Sequence, residues 1–325
     1  VTTMKKEDFK VLGLEDVLAG LERDGFAIGL VDPEEYQGWK GQIPGCVSKS
    51  MLHDFGQNPL RFHLNEVEGR RVEHAGFKLG SAVDAAVLTP EVFARKYWFE
   101  PKKVAITKSG HPAANGMQDP DQKAAWAERA AQGHVMLAEK ELAQVREMAG
   151  NVEAHLAELG MKVGENTLTQ VAMFLRLDEV GGEQLPVPLV VCGMLDLMPL
   201  EGKLLWDLKT TSRGVDEAGL NFAMCDYGYG IQAALYSDLF AACTGEERAF
   251  AFLFVESAAP YQSRVVRMPW LLLDGYRARY ERLLREYSQC LATGDWGALI
   301  LPEMVYAPPR YEAAKLEEEM VESAK

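Results

Sequence analysis

A chain of 325 residues, 48% hydrophobic and 25% charged, has the length and apolar content for a full core, as two domains or as one large α/β domain with insertions. It holds no apolar run of the ~18 residues that would mark a membrane helix, VTTMKKEDFK at its start lacks the apolar centre of a signal peptide, and five scattered cysteines (46, 192, 225, 243 and 290) with no CxxC pair argue against a disulfide framework or a thiolate metal cluster and for a reducing, cytoplasmic setting. The net charge of −14 counts against a broadly basic nucleic-acid binder, and leaves room for one only where a local groove is basic or metal ions neutralise carboxylates.

In chain order, residues 15–24 predict a short helix. Ser48 is placed to cap a helix through Phe55, and Asn58-Pro59 opens another through about Val67. AGFKLGSAVDAAVL (75–88) is helical, and Thr89-Pro90 restarts a helix through about Tyr97. Residues 101–118 have no period and form a loop; residues 119–159 form two helices broken near Gly133. Three strands follow, at 167–178, 188–198 and 203–209, then helices at 215–223 and 229–243, strands at 248–256 and 262–268, and a long helix at 270–292. Residues 311–325, with five Glu against two Lys, form an acidic helical tail. A helical first half followed by strands and helices predicts an α/β or α+β chain with a mixed sheet in its second half.

The stretch LLWDLKTTS (204–212) sets Asp207 and Lys209 two apart on a strand, so both point to one face of the sheet. The preceding strand, VVCGMLDLMPL, holds one charge, Asp196, and Glu201-Gly202 lies between as a turn. An even loop centred there sets position 200 against 203 and Asp196 against Asp207, as cross-strand neighbours on the face of Lys209. Two readings fit. Asp207 and Lys209 form a structural ion pair with Asp196 at a strand end, or the two carboxylates hold a hard divalent cation, Mg²⁺ or Mn²⁺, which removes their repulsion. Other motifs carry less. Gly228-Tyr-Gly230-Ile-Gln-Ala233 matches GxGxxA but follows a helical segment, not a strand, which disfavours a nicotinamide-dependent enzyme. There is no P-loop, GxSxG or HExxH, and the six histidines show no metal-ligand spacing.

The spacing of Asp196 and Asp207-x-Lys209 on a hairpin resembles the PD-(D/E)xK nuclease superfamily. The likeness extends to Gln232-Ala-Ala-Leu-Tyr236, similar to the QxxxY motif of RecB-like and RecE-like exonucleases, and to SKSMLHDFGQNPLRFH and FKLGSAVDAAVLTPEVF, similar to the leading helices of the exodeoxyribonuclease VIII (RecE) C-terminal domain. It covers about 46–295. It implies a restriction-endonuclease-like α/β domain there, with a central mixed sheet flanked by helices and a helical insertion at about 119–160. Residues 1–45 would then be an N-terminal extension and 296–325 the acidic tail. It further implies a metal-dependent DNA exonuclease, working 5′ to 3′ at duplex ends in recombination or phage DNA processing, with a single-strand annealing protein as partner and a ring-shaped homo-oligomer. In that scheme Asp84, Asp196, Asp207 and the Leu208 carbonyl bind the metal. Lys209 orients the attacking water or offsets charge on the phosphate. Gln232 and Tyr236 position the DNA strand, Thr210, Thr211 and Ser212 contact phosphates, and Lys102 and Lys103, with Arg95, Lys96 and Lys108, contact the backbone. Two positions depart from the family pattern: Asp84 stands where a His is usual, and Gln170 where a Glu is. Gln170 cannot supply charge, though it could still hydrogen-bond a metal-bound water; together with Asp84 it motivates the alternative of a catalytically weak scaffold that binds DNA ends.

Overall fold

The computed structural model describes residues 4–66, 77–107, 111–112, 117–300, 303–305, 307–308 and 310–323. After a single 3-10 turn come α1 (Leu14–Arg23), β1 (Phe26–Leu30), α2 (Pro33–Trp39), β2 (Cys46–Ser48), α3 (Lys49–Gln57), α4 (Pro59–Glu66), α5 (Phe77–Leu88) and α6 (Pro90–Lys96). A minor pair of strands, β3 (Tyr97–Trp98) and β4 (Val135–Met136), brackets α7 (Pro120–Ala131) and precedes α8 (Glu139–Glu158). The main strands β5 (Thr167–Val180), β6 (Glu183–Pro199) and β7 (Leu204–Thr211) lead to α9 (Glu217–Asp226) and α10 (Tyr229–Thr244). Then follow β8 (Ala249–Glu256), β9 (Ser263–Arg267), α11 (Trp270–Thr293) and α12 (Arg310–Ser323).

The cap expected at Ser48 forms: its Oγ accepts from Met51 N at 3.5 Å to start α3. Asp216, not singled out in the sequence, caps α9 by accepting from Gly219 N at 2.9 Å. Five elements go beyond the expected set: β1, α2, β2, β3 and β4. Strand β1 is short and lies at the sheet edge, while β2 has three residues and β3 and β4 two each, too few to show a period. Strand β6 also begins earlier than expected, because Pro186 and Pro188 read as breakers. They fall where the β5–β6 register shifts, between the Glu179–Gln184 and Leu177–Leu189 pairs, so no ladder donor is lost.

The seven-stranded sheet has the order β1-β5-β6-β7-β8-β9, with β2 joined to β6. It is mixed: β2–β6 and β7–β8 are parallel, the other neighbours antiparallel. One face packs on α3, α10 and α11 through Leu52, Phe55, Leu235, Phe240 and Leu284 against Val171, Val191, Leu205 and Phe252. The other face has two covers. Helices α1 and α2 lay Val17, Tyr36 and Trp39 on Phe174 and Cys192, while α5 and α8 lay Val83, Leu88, Met148 and Val152 on Leu197, Trp206 and Leu208. All five cysteines are free; Cys46 and Cys192 lie 3.4 Å apart across β2 and β6. Among the described residues, no helix is long and apolar enough to cross a membrane.

One detail of the sheet makes room for a site. Strand β6 shares a single edge between two partners, β2 at Val190–Cys192 and β7 at Leu197. Residues 193–196 lie in the fork between them.

Candidate active site

The hairpin has the expected register, since Leu197 pairs with Trp206 and the next step would set Asp196 against Asp207. No backbone pair forms at that step. Asp196 Oδ2 instead accepts from the Leu208 amide at 2.9 Å, so a side chain stands in for the partner strand as β7 swings away. On the other side of β6, the ladder holds Thr169–Leu197 and Val171–Leu195 but skips Gln170, the position opposite Asp196. Gln170 has φ = 55°, in the left-handed region, and its carbonyl accepts from Val31 N at 3.3 Å, just past β1. Around this position both strands exchange faces. Leu168 and Val171 belong to one core layer, as do Leu195 and Met198, although strict alternation would place each pair on opposite sides. Gln170, Asp196 and Asp207 therefore form a row across β5, β6 and β7 at the point where the sheet opens.

The charges in the fork hold one another. Asp207, 2% exposed, receives Gln232 Nε2 on Oδ1 at 2.5 Å and pairs through Oδ2 with the Lys209 ammonium. Burial alone would lower the Lys209 pKa; attraction to Asp207 and Asp196 outweighs it and raises it above the usual lysine value. Burial raises the Asp196 carboxyl well above its usual range, and repulsion from Asp207 and Asp84 adds to this against the pull of Lys209. Asp84, on α5, is pushed up to about 7 by burial and by Asp207, with Lys209 opposing. Helix α5 comes close to β7 here, for a Cβ on Gly80 would lie 2.9 Å from Thr210 Oγ1.

Two residues of the site, Lys49 and Tyr229, were not anticipated. Lys49, the first residue of α3, is 9% exposed, donates to the Tyr227 carbonyl, and sits 5.1 Å from the Tyr229 ring centroid. Lys209 sits 5.2 Å from the centroid of the same ring. Burial and the neighbouring Lys209 bring the Lys49 pKa down to about 7, against the pull of Asp207 and Asp54. A lysine at a helix start reads as exposed in sequence. Only the helix's placement after β2, beside the fork, buries it.

Several expected contact residues have other surroundings. Gln232 and Tyr236 are buried, at 4% and 9% exposure: Gln232 holds Asp207, and the Tyr236 ring lies over Gly193 of β6, where a Cβ would come within 2.7 Å. Both were expected at the DNA strand from the likeness of QAALY to the QxxxY motif; α10 is instead buried along most of its length. Thr211 is buried, its hydroxyl accepting from Arg213 N at 3.1 Å; Thr210 is half-buried and Ser212 exposed. Of the basic cluster, Arg95 pairs with Asp32 at 3.5 Å, Lys96 with Glu34 at 2.5 Å and Lys103 with Glu100 at 3.6 Å, while Lys102 is exposed and Lys108 lies outside the described residues. The glycines of GxGxxA serve packing: a Cβ on Gly230 would meet Tyr276 at 2.1 Å, and one on Gly228 would meet His53 at 2.5 Å.

Residues 48–299 match the family described as a PDDEXK-like domain of unknown function (DUF3799). The chain belongs to this family. The PD-(D/E)xK nuclease superfamily is thereby established for it, and its fold agrees. The solved structure of a candidate exonuclease from Eubacterium rectale shares the fold, with a TM-score of 0.51, 15% identity, and coverage of 87% of this chain and 97% of that one. A Vibrio cholerae protein reaches a TM-score of only 0.21, at 10% identity over 82% of this chain and 58% of that one, and carries no argument. No curated protein matches.

PDDEXK nucleases generally use divalent metal ions. Among the described residues, no three His, Cys, Asp or Glu side chains converge as a ready-made cage. The donor chemistry of this PDDEXK-like fork nevertheless fits a hard cation. Asp84 Oδ1 and Gln170 Oε1 are buried without hydrogen-bond partners, and the three carboxylates carry repulsion that a cation removes. Lys209 now takes the Asp207 oxygen that a metal would need.

Proposed function

We propose that this chain is a metal-dependent exonuclease that hydrolyses phosphodiester bonds at duplex DNA ends, 5′ to 3′, in recombination or phage DNA processing. The observation that supports it best is the row of Gln170, Asp196 and Asp207 across three strands, with Lys209 on the last and Asp84 facing them. Asp84, Asp196 and Asp207, with the Leu208 carbonyl, would hold Mg²⁺ or Mn²⁺, which lowers the pKa of a water and offsets charge on the scissile phosphate. Lys209 is fully protonated and held in place by Asp207, fit to orient that water or meet the developing negative charge. Gln232 fixes the Asp207 carboxylate, so its role in this reading is to position a ligand, not to touch DNA. Exposed Ser212 and Lys102 remain suited to phosphate contact.

The test is nucleotide release from linear duplex DNA in Mg²⁺ or Mn²⁺, comparing the parent with Lys209→Ala and Asp196→Ala after circular dichroism has verified folding. Release by the parent that both changes abolish is the expected result. Release surviving both would place the active site elsewhere. Gln170 supports a second reading, since an amide supplies no charge where the family usually has Glu. A scaffold of that kind would bind duplex ends and release nothing.

A further inference from the structure

The fork holds more positive charge than the hydrolytic scheme uses. Lys49 and Lys209 both lie over the ring of Tyr229, at 5.1 and 5.2 Å. Lys209 repels the Lys49 ammonium, and Lys49 is buried at 9% exposure with its hydrogen bond going to a neutral group, the Tyr227 carbonyl. An ammonium has three donors, so the Tyr227 contact leaves two for another acceptor. Burying a long cation for the sake of one carbonyl is a poor use of a lysine, because its desolvation exceeds what such a hydrogen bond returns. An anion between or beside the two lysines would remove the repulsion and fill the open donors.

The charge count points to the same anion. Asp84, Asp196 and Asp207 are three negative charges when ionised; Lys209 is one positive charge, and Lys49, whose pKa lies at about 7, becomes a second once a nearby anion holds its proton. His53, held below its usual pKa by burial and by Lys49, is neutral, as is Tyr229, raised to about 12 by burial. Asp54 is exposed and screened by solvent. One divalent cation would bring the fork to a single positive charge, which suits one phosphodiester. Without Lys49 the loaded fork would be neutral.

We propose that Lys49 is a phosphate-binding residue of the fork, which takes a backbone phosphate of the nucleic-acid strand that Lys209 addresses. This rests on the nuclease reading and adds to it the cation that makes the metal-loaded site attract its substrate.

Two variants separate this role from a structural one. Lys49→Gln keeps a donor for the Tyr227 carbonyl and loses the charge; Lys49→Arg keeps the charge. Binding of a labelled blunt duplex is read by anisotropy in Ca²⁺ from about 50 to about 200 mM NaCl, and Mn²⁺ binding by calorimetry without DNA. With Lys49→Gln, duplex affinity falls about tenfold and the salt slope by about 0.9, while Mn²⁺ binds as tightly as to the parent or tighter, because a neighbouring positive charge is gone. Lys49→Arg retains the parent's salt slope. Parental affinity and slope with Lys49→Gln would overturn the proposal and leave the nuclease reading standing. So would a loss of duplex and Mn²⁺ binding in both variants together, which marks a structural lysine. A parent that neither binds nor cuts DNA in any divalent metal would overturn both.

Discussion

Asp84 is the residue whose chemistry is most exposed to test. Its folded pKa, about 7, exceeds the value near 3.9 of an unfolded aspartate. An acid with a raised folded pKa binds its proton more tightly in the folded state. Its contribution favours folding at low pH and fades as pH rises through that window. Asp196 acts in the same direction, whereas Lys49, with a lowered pKa, begins to act oppositely only above about 7. The metal-free protein is therefore expected to lose melting temperature between pH 5 and 7, Asp84→Asn to lose less, and a divalent cation to restore the loss. Calorimetric scans across that range decide it, and an unchanged slope in Asp84→Asn would show that the carboxyl is not strained. The sequence made part of this legible. Asp207 and Lys209 at i and i+2, with an even turn after Asp196, announced the hairpin pair. Lys49 was not legible, because the burial of a helix-start lysine depends on where the helix lands and on nothing in its neighbours.

At the scale of elements, the site depends on how α10 is laid across β6. Gly193 lets the Tyr236 ring rest on the strand, and four residues earlier on the same helix face Gln232 reaches Asp207. A Cβ at 193 would stand 2.7 Å from that ring, so either the tyrosine or the helix must move. Gly193→Ala is expected to cost roughly 1–3 kcal/mol and to lower any nuclease rate by shifting Gln232 off Asp207. Gly150→Ala is the control, as nothing lies within 4 Å of its added methyl on α8. Urea titrations of both would settle the matter: equal stability of Gly193→Ala and parent would mean that the tyrosine yields freely. The helices and main strands of the second half were legible through period and capping residues. Gly193 was visible only as part of GMLD; that its missing side chain is a seat for Tyr236 is a tertiary fact. The switch of faces at Gln170 was also beyond reach, since a glutamine at positive φ follows from the fork and not from propensity.

For the whole molecule, the question is where the folding unit begins. The matched region starts at residue 48, and the resemblance in sequence starts at about 46, which suggests an extension that could be removed. The sheet suggests otherwise. Five residues of β1 pair with β5 from Leu175 to Val171, and the Lys10 carbonyl and Leu30 amide tie the preceding segment to that edge at 2.8 Å. Helices α1 and α2 cover Phe174, Ala172, Val190 and Cys192, the same strands that carry Gln170 and Asp196. Val17, Leu21, Tyr36, Trp39 and Ile43 are each at most 7% exposed. Five such side chains, at about 1.5–3 kcal/mol apiece, are together comparable with the roughly 5–15 kcal/mol by which a typical domain is stable. The strands beneath them would also face water. A chain begun at residue 46 is therefore expected to be insoluble or to lack a cooperative thermal transition, whereas removal of the acidic tail from 310 onward, whose described residues pack in none of the three core clusters, leaves the transition in place. A cooperative, soluble 46–325 fragment would show that the first 45 residues decorate the fold, and that the geometry at Gln170 is held by β5 and β6 alone.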